Sequence, residues 1–569
     1  MAGEAWREER SNFVLANPTN RMKKIVSLVI CCATALCIYA VPARRTGRTV
    51  TQADGTTLTV FAHGDEHFHW LTNEQGEWVA LNAQGNYEVI PALTDEQIQA
   101  RRANSRRRMP QQTTTATPLN IAPRGLIILV NFQDKAFSTS KAEMDSMING
   151  QKYARAYSYM NRGERLDITF TGSAREYFYV ASNRQYHPQF DVIGPVTVSQ
   201  QMSYYGGNDS DGNDKNAEKM VQEACLLAKS EHNVDFTLYD NDNDGYVDFV
   251  YVFYAGYGEA DGGSANTIWP HAYSLTASNI NCTIDGKRVD SYACSNEMSS
   301  VSGVHDGIGT FCHEFSHVLG LPDLYITSNV RTTHKTLGEW DIMDYGPYNN
   351  DGNTPPNYSG HERFFMGWAT PRVLAEDEEV VLHDLASANE ILLISETDNH
   401  NLIGNDPSPS TFYILENRQQ TGLDTYLPGH GLMLTKINYS YNKWLYNTVN
   451  NTKSSMGVDI IEADGKAPNY SSSNLNNGYN GKATDLFPAG AVSYAGITGH
   501  LLANIREENG VIYFSYKKGV TPVGNVWQDS PIVAIYDILG NRIETTDIPD
   551  LVSGTYIVRT AQGCRKIVR

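Results

Sequence analysis

The stretch GTFCHEFSHVLGLPDLY, residues 309–325, decides the fold. His313 and His317 are four residues apart, so on an α-helix they lie on one face, one turn apart, and both imidazoles can reach one metal ion. Glu314 follows the first histidine, where its carboxylate can take a proton from a water that the metal activates. This spacing predicts a metal-binding helix with a general base on it.

The end of this helix predicts the third ligand. Gly320 is a natural left-handed terminator, and Pro322 prevents the helix from resuming. The chain therefore turns sharply after His317 and brings Asp323 back toward the metal. Two histidines and one carboxylate leave a zinc coordination position open, which is typical of catalytic rather than structural sites. The turn also argues against a pair of surface histidines on an ordinary helix.

A second residue competes for the role of third ligand. In another class of zinc peptidases, this ligand is a glutamate further along the chain, on a following helix, and Glu339 lies at about that distance. Gly338 and the residues at 340–343 do not have the pattern of a helix. The sequence therefore favours Asp323 over Glu339 as the third zinc ligand.

Composition excludes several classes of protein. The chain has 569 residues, of which 41% are hydrophobic, enough for large cores and against wholesale disorder. Its 45 Lys and Arg against 64 Asp and Glu give a net charge of −19. A nucleic-acid partner is therefore not expected, because a phosphate-binding domain is basic. Cys282 and Cys294 are spaced either for a small disulfide loop or for a pair of buried thiols.

The N-terminal segment predicts export. Residues 1–43 are interpreted as a leader with a signal peptide at about 22–43, in which a short basic region precedes the apolar run 25–39. That run is short for a transmembrane span, although a membrane anchor is the alternative. We expect cleavage after Ala43, a secreted or cell-surface location reached through the periplasm, and no stable transmembrane segment once the leader is removed.

Residues 44–108 are predicted to be a β-rich propeptide, and 109–124 a linker. The Arg-rich run at 101–108 precedes a polar stretch and is a good target for a processing protease. A solvated charge run is the alternative interpretation. A carboxylate or histidine from the stretch 64–67 (Gly-Asp-Glu-His) is a candidate to bind the metal in the zymogen.

The main domain is predicted to cover residues 125–375. The apolar runs GLIILVNF (125–132) and VDFVYVFYAG (247–256) predict buried strands, and 215–229 has helical spacing. From 376 to 517 short β-like runs predict a β-rich region, which is either a separate unit or an extension of the peptidase.

Seven motifs occur in an order that resembles a known family. With its methionine turn, the HExxHxxGxxD pattern looks like a metzincin-type zinc peptidase. More narrowly, the chain resembles the immune-inhibitor-A-like family of secreted bacterial metallopeptidases over about residues 125–517. The motifs lie at 239–259, 268–273, 313–325, 338–346, 361–368, 412–419 and 458–465.

The resemblance implies further site residues. Met343 would lie beneath the metal as the methionine of the turn. Tyr345, two residues later, would help stabilise the tetrahedral intermediate, as a tyrosine at that spacing does in several metzincins. The alternative for Tyr345 is a core tyrosine in a chain with 33 tyrosines.

A possible calcium loop lies at DNDNDG, residues 240–245. Asp240, Asp242 and Asp244 offer oxygens at positions 1, 3 and 5 of an EF-hand-like loop, and Asp248 falls at position 9. Position 12 is Tyr251 instead of a glutamate, so the loop is incomplete. Two interpretations of the loop are open: a calcium site with an altered last ligand, and a plain polar turn.

The C-terminal residues 518–569 predict a small β-sandwich. Their Tyr-Asp-x-x-Gly and Leu-x-x-Gly-x-Tyr-x-Val steps resemble the sorting domain of type IX secretion cargo, which implies recognition by secretion machinery. A generic binding module is the alternative.

Together these observations predict an α+β protein. A metzincin-like zinc peptidase domain, with a mixed sheet and an active-site helix, would lie between a β-rich prodomain and β-rich C-terminal regions. The expected function is zinc-dependent hydrolysis of peptide bonds in extracellular proteins. The alternative is a non-catalytic surface adhesin that retains a peptidase fold.

Overall fold

The computed structural model describes most of the chain from residue 41 onward. It covers residues 41–519, except for 45, 66–67, 83, 95, 99–121, 210–211, 328–333, 398–400, 404–405 and 467–480. It then covers 532–537, 540–543, 555–560 and 563–568. Most of the predicted leader, the Arg-rich run 101–108, nearly all of the linker, Glu66 and His67 lie outside the described residues.

The first sheet is antiparallel and has five strands in sequence order. They are β1 (Arg48–Thr51), β2 (Thr57–Asp65), β3 (Phe68–Thr72), β4 (Trp78–Leu81) and β5 (Tyr87–Val89). Each strand pairs with the next through a tight connection, as the alternating runs and turn residues of this region predict.

Ten strands follow between residues 124 and 298. They are β6 (Arg124–Asn131), β7 (Ala154–Asn161), β8 (Glu164–Thr171), β9 (Gln189–Thr197), β10 (Tyr246–Val247), β11 (Val250–Tyr257), β12 (His271–Ser274), β13 (Cys282–Ile284), β14 (Lys287–Val289) and β15 (Ser291–Met298). The central sheet has the order β12-β15-β11-β6-β9, with β12 alone antiparallel to its neighbour. The two predicted buried strands are thus confirmed as the adjacent β11 and β6.

Nine α-helices lie in the part of the chain that the structure describes. They are α1 (Lys141–Asn149), α2 (Ala174–Ala181), α3 (Met202–Gly206), α4 (Ala217–His232), α5 (Gly309–Val318), α6 (Asn349–Gly352), α7 (Gly360–Phe365), α8 (Leu385–Ala388) and α9 (Tyr441–Leu445). The predicted helices at 215–229 and at the HExxH motif are confirmed as α4 and α5.

Alternation along β6 assigns these two helices to opposite faces of the central sheet. Leu126 and Ile128 share a core with Met220 of α4, whereas Ile127 shares a different core with Phe311 of α5. Successive side chains of a strand point to opposite faces, so a strand covered on both sides must be apolar throughout. This covering explains the unbroken apolar run of β6.

Aromatic contacts dock α5 on the sheet. The Phe311 ring lies 4.6 Å from that of Tyr251, and the Phe315 ring lies 4.6 Å from that of Phe249, in both cases centroid to centroid and edge to face. Phe311 and Phe315 are four residues apart and face the sheet together. The histidines at 313 and 317 therefore face away from it.

The β-rich region after residue 370 contains ten strands. They are β16 (Arg372–Val373), β17 (Glu378–Leu382), β18 (Ile391–Ile394), β19 (Asn401–Ile403), β20 (Asp406–Ser408), β21 (Thr411–Arg418), β22 (Gly431–Asn438), β23 (Val458–Ile460), β24 (His500–Glu508) and β25 (Val511–Lys518). They form the sheets β16-β18-β21-β22-β23, β17-β25-β24 and β19-β20. One hydrophobic core runs from Ile127 through Trp340 to Met433 and Leu486, so this region packs as an extension of the central unit.

The C-terminal strands form one antiparallel sheet in the order β27-β26-β28-β29. They are β26 (Ile532–Asp537), β27 (Arg542–Ile543), β28 (Thr555–Thr560) and β29 (Gly563–Val568). The sandwich packing predicted for this segment stays a prediction.

The mixed α+β class is confirmed, with several separate sheets. Within the described residues, no helix has the length and apolar character needed to cross a membrane. Cys282 and Cys294 are buried free thiols, so the small disulfide loop is absent.

Candidate metal centre and active site

Helix α5 places both histidines at one buried point. The Nε2 atoms of His313 and His317 are 3.1 Å apart, and neither residue is exposed to solvent. The helix ends at Val318, and Gly320 adopts the left-handed φ of +99° that lets the chain reverse. The predicted terminator is therefore confirmed.

The chain reversal returns Asp323 to the two imidazoles. Its Oδ1 lies 3.2 Å from Nε2 of His313 and 3.3 Å from Nε2 of His317, and the carboxylate is fully buried. In the described part of the chain, these three residues are one of two groups whose ligand atoms converge as at a metal site.

Backbone carbonyls fix which imidazole nitrogen faces this point. Nδ1 of His313 lies 2.7 Å from the carbonyl oxygen of Ile342, and Nδ1 of His317 lies 2.7 Å from that of Leu321. A carbonyl only accepts, so each Nδ1 carries the proton and each Nε2 presents a lone pair. Burial also lowers the pKa of His317, which favours the neutral form that binds metals.

The donor set fits zinc. Tetrahedral ligands about 2.0–2.1 Å from zinc are about 3.3 Å from one another, which matches the three separations here. Asp323 Oδ1 is buried and has no hydrogen-bond donor among the described residues, as expected of an oxygen reserved for a cation. Two imidazole lone pairs and a carboxylate oxygen at these distances repel one another unless a cation lies between them.

Glu314 lies beside this centre and is also fully buried. Its Oε1 accepts a hydrogen bond of 2.8 Å from the backbone N–H of Val41, and its Oε2 has no partner among the described residues. Burial raises the pKa of this carboxyl well above its usual range.

The predicted methionine turn contacts both the histidine helix and the segment that carries Asp323. Met343 is fully buried, its carbonyl accepts from the N–H of Leu324 at 2.7 Å, and its N–H donates to Asp341 Oδ1 at 2.8 Å. The preceding residue, Ile342, supplies the carbonyl that orients His313. The turn thus connects the histidine helix to the segment that carries Asp323.

The other candidates near this turn take different positions. Tyr345 is partly exposed, and its N–H donates to the carbonyl of Gly338 at 3.0 Å. Glu339 is partly exposed in a 3₁₀ turn and does not belong to the converging group.

The β-rich region contributes a residue that sequence reasoning missed. The side chain of Asn447 accepts from the Asp323 N–H at 2.7 Å and donates to Asp323 Oδ2 at 2.5 Å. It therefore grips both the backbone and the carboxylate of this residue. The two are 124 residues apart, and no local motif marks Asn447.

Residues 41–44 lie against the same centre and are buried. Besides the bond from its N–H to Glu314, Val41 accepts from Trp269 Nε1 at 3.3 Å, and the carbonyl of Pro42 accepts from the Tyr348 hydroxyl at 2.6 Å. A leader that ended at Ala43 would remove most of this segment, so that boundary stays a prediction.

The stretch 64–67 does not supply a described metal contact. Asp65 Oδ1 accepts from the N–H of Phe68 at 3.1 Å within its hairpin, and Asp65 is not part of the converging group at the histidines. Residues 66–67 lie outside the described residues.

The acidic loop brings together three of the four predicted calcium ligands. Oxygens of Asp240, Asp242 and Asp244 converge, but Asp240 is paired with the ammonium of Lys287. Asp248 Oδ2 instead accepts from the N–H and the side chain of Asn241, at 2.6 and 2.7 Å. A calcium ion there would compete with Lys287, and the site stays a prediction.

Replacement of Asn447 should weaken metal binding without removing a ligand. We expect Asn447→Ala to lower zinc affinity about 10- to 100-fold, because the carboxylate of Asp323 loses the partner that orients it. Competition with a chromophoric chelator measures this affinity.

The matched control is Asn451→Ala. Asn451 lies on the same segment but bonds to Thr327 and not to Asp323. Equal zinc affinity in the Asn447 and Asn451 variants would contradict an orienting role for Asn447.

The comparisons with known proteins agree with this geometry. Residues 121–369 match the family model described as the immune inhibitor A peptidase M6 catalytic domain. The pre-pro-metalloprotease PrtV of two Vibrio cholerae serotype O1 strains is 28% identical over 255 residues, which are 40% of this chain and 27% of that protein. Immune inhibitor A of Bacillus thuringiensis subsp. alesti is 25% identical over 272 residues, 42% of this chain and 39% of that protein.

The matches therefore span well under half of these curated relatives. The residues that match the family model include the converging histidines, Glu314 and the methionine turn. Residues 121–369 are thus similar to the catalytic domain of the immune inhibitor A, or M6, peptidases, a family of zinc metalloendopeptidases.

Proposed function

We propose that this protein is a secreted zinc-dependent endopeptidase, made as a zymogen, which hydrolyses peptide bonds in extracellular proteins. Its main support is the convergence of His313, His317 and Asp323 beside the buried Glu314. An adhesin that merely kept the fold would have no need of an unpartnered carboxylate oxygen beside three converging ligand atoms.

In the proposed mechanism each residue has one role. His313, His317 and Asp323 hold the zinc, which, when bound, polarises the scissile carbonyl and lowers the pKa of a water to about 7. Glu314 accepts the proton of the attacking water on its carboxylate and then delivers it to the leaving amine. Tyr345 is proposed to donate a hydrogen bond to the oxyanion of the tetrahedral intermediate.

Replacement of the base should separate metal binding from catalysis. Glu314→Ala keeps all three proposed ligands, so we expect a folded protein with full zinc. We expect its proteolysis to fall by about 10²–10⁴, the usual contribution of a positioned general base. Casein digestion and zinc content of the purified protein measure the two properties.

His317→Ala is the matched control, and it should lose both zinc and activity. A Glu314→Ala protein with full zinc and undiminished digestion would exclude the proposed mechanism.

The identity of the third ligand is tested by two acidic residues. Asp323→Ala should lower zinc occupancy sharply, because it removes one of three ligands. Glu339→Ala should leave occupancy unchanged, because this side chain lies apart from the converging group. Elemental analysis of both variants after dialysis decides between them, and the reverse pattern would make Glu339 the ligand.

We further propose that residues 41–44 keep the zymogen latent, which requires the leader to be cleaved before Val41 and not after Ala43. In support, the N–H of Val41 is bonded to the carboxylate that would act as base. Such a contact occupies the base and leaves no room for substrate at the same place. Cleavage at about residues 101–108 would then allow the propeptide to leave.

Removal of this N–H should relieve the latency. Val41→Pro has no N–H to donate, and a buried hydrogen bond to a charged group contributes about 1.5–3 kcal/mol. We therefore expect the uncleaved chain to be about ten- to a hundredfold more active on a fluorogenic peptide. Val41→Ala keeps the N–H and should stay latent; if both variants stay equally latent, this bond does not inhibit the enzyme.

We propose that residues 518–569 direct export as a type IX sorting domain. In support of this role, the strands β26 to β29 form a small sheet of their own. Deletion of this segment should trap folded enzyme in the periplasm of the native host, because the secretion machinery would lose its signal. Immunoblots of the periplasm and the medium measure this, and a normal yield in the medium would contradict the sorting role.

A further inference from the structure

A buried acidic pocket near the metal centre holds the side chain of Arg44. Its guanidinium donates through one nitrogen to Asp261 Oδ1 at 3.2 Å and to Ser299 Oγ at 3.0 Å, and through the other to Asp351. The Arg44 side chain is only 4% exposed, and both carboxylates are equally buried. Arg44 belongs to the predicted propeptide, whereas all three partners belong to the catalytic domain.

The catalytic domain builds this pocket from distant segments. Asp351 accepts from the hydroxyls of Tyr157 at 2.6 Å and Tyr159 at 3.1 Å, both on the hairpin strand β7. Its backbone has a left-handed φ of +57°, a conformation that a non-glycine residue keeps only when its surroundings hold it there. The pocket therefore has supports of its own, independent of Arg44.

A third carboxyl group, that of Asp306, lies close enough to interact with Asp261, Asp351 and Arg44. Burial and the neighbouring carboxylate of Asp261 raise the pKa of Asp306 to about 7, and Arg44 opposes this rise. A pocket with two buried carboxylates beside a partly exposed acidic group is costly to leave without a cation.

The catalytic domain binds the main chain of residues 41–44 through hydrogen bonds, as a substrate cleft binds a peptide. The Arg44 N–H donates to the carbonyl of Ala260 at 2.7 Å, in addition to the bonds at Val41 and Pro42. These bonds use backbone groups that any peptide has. Arg44 lies three positions after Val41, whose N–H contacts Glu314, and three residues of extended chain span about 10 Å.

We propose that the pocket formed by Asp261, Asp306 and Asp351 is a substrate subsite for an arginine or lysine side chain about three residues from the scissile bond. The proposal rests on the proposed peptidase function and names its substrate class, proteins with exposed basic residues. In the zymogen, Arg44 occupies the subsite. Once the propeptide leaves, a basic side chain of the substrate takes its place.

Arginine should bind better than lysine in this subsite. The two carboxylates contact different nitrogens of one guanidinium, a geometry that matches the planar fork of arginine. A lysine ammonium has a single charged nitrogen, so it can contact both carboxylates only if they move closer together.

A set of synthetic peptides tests this specificity with mature enzyme purified from a culture that expresses the full chain. The peptides share one cleavable bond and carry arginine, citrulline or alanine at each position up to four residues on either side of it. Citrulline has the shape of arginine without its charge. We expect arginine to raise kcat/KM over citrulline about ten- to a hundredfold at one position within this range.

Variants assign the preference to the pocket. Asp261→Asn and Asp351→Asn should each lower the ratio of kcat/KM for the arginine peptide to that for the citrulline peptide. Asp167→Asn, at a carboxylate that is 67% exposed on β8, is the matched control and should retain the full preference. The two pocket variants replace carboxylates in different segments, so one that folds is enough.

The outcomes separate this proposal from the peptidase function itself. If the zinc-loaded enzyme cleaves none of the peptides, the proposed function fails. If it cleaves them with equal kcat/KM for arginine and citrulline at every position, or if the preference survives both pocket variants, the subsite proposal is wrong and Arg44 serves only to anchor the propeptide.

Discussion

The rest of the structure depends on one constraint. Three buried side chains must be held with their lone pairs facing one another. The ligand atoms of His313, His317 and Asp323 lie 3.1–3.3 Å apart without solvent contact. In the absence of a cation this arrangement is unfavourable, so it persists only if the surrounding fold holds it. The carbonyls of Ile342 and Leu321 do so by fixing both imidazoles, and the docking of α5 on the central sheet fixes the helix.

The β-rich region after residue 376 is part of this support. Asn447 holds Asp323 through two hydrogen bonds, and Asn450 donates to the carbonyl of Leu324 at 2.8 Å next to it. One core of buried side chains continues from the central sheet to Leu486. The packing of this region therefore helps to hold Asp323 in place.

Local patterns predicted the parts of the site that local structure determines. Four-residue spacing defines the histidine pair, and Gly320 defines the turn, because helix geometry and a left-handed φ depend on adjacent residues. The runs that became β6 and β11 were equally recognisable, since a strand covered on both faces must be apolar. Asn447 was not predictable, because its role exists only through a contact across 124 residues. Its neighbourhood in sequence carries no periodicity or motif.

The same limit applies to the contacts of residues 41–44. In sequence, residues 41–43 were interpreted as the end of a leader and residue 44 as the start of the propeptide. Val41 contacts Glu314 across 273 residues and Arg44 contacts Asp261 across 217, and no local pattern indicates either contact. The segment donates an N–H to the catalytic base. A substrate must instead place the carbonyl of its scissile bond at the metal and leave the base free to contact water. A peptide can thus fill the cleft through backbone bonds and a buried arginine, and still not be cut. In the proposed mechanism, latency and substrate recognition use the same surface, because inhibition depends on the position of one N–H and not on a separate blocking element.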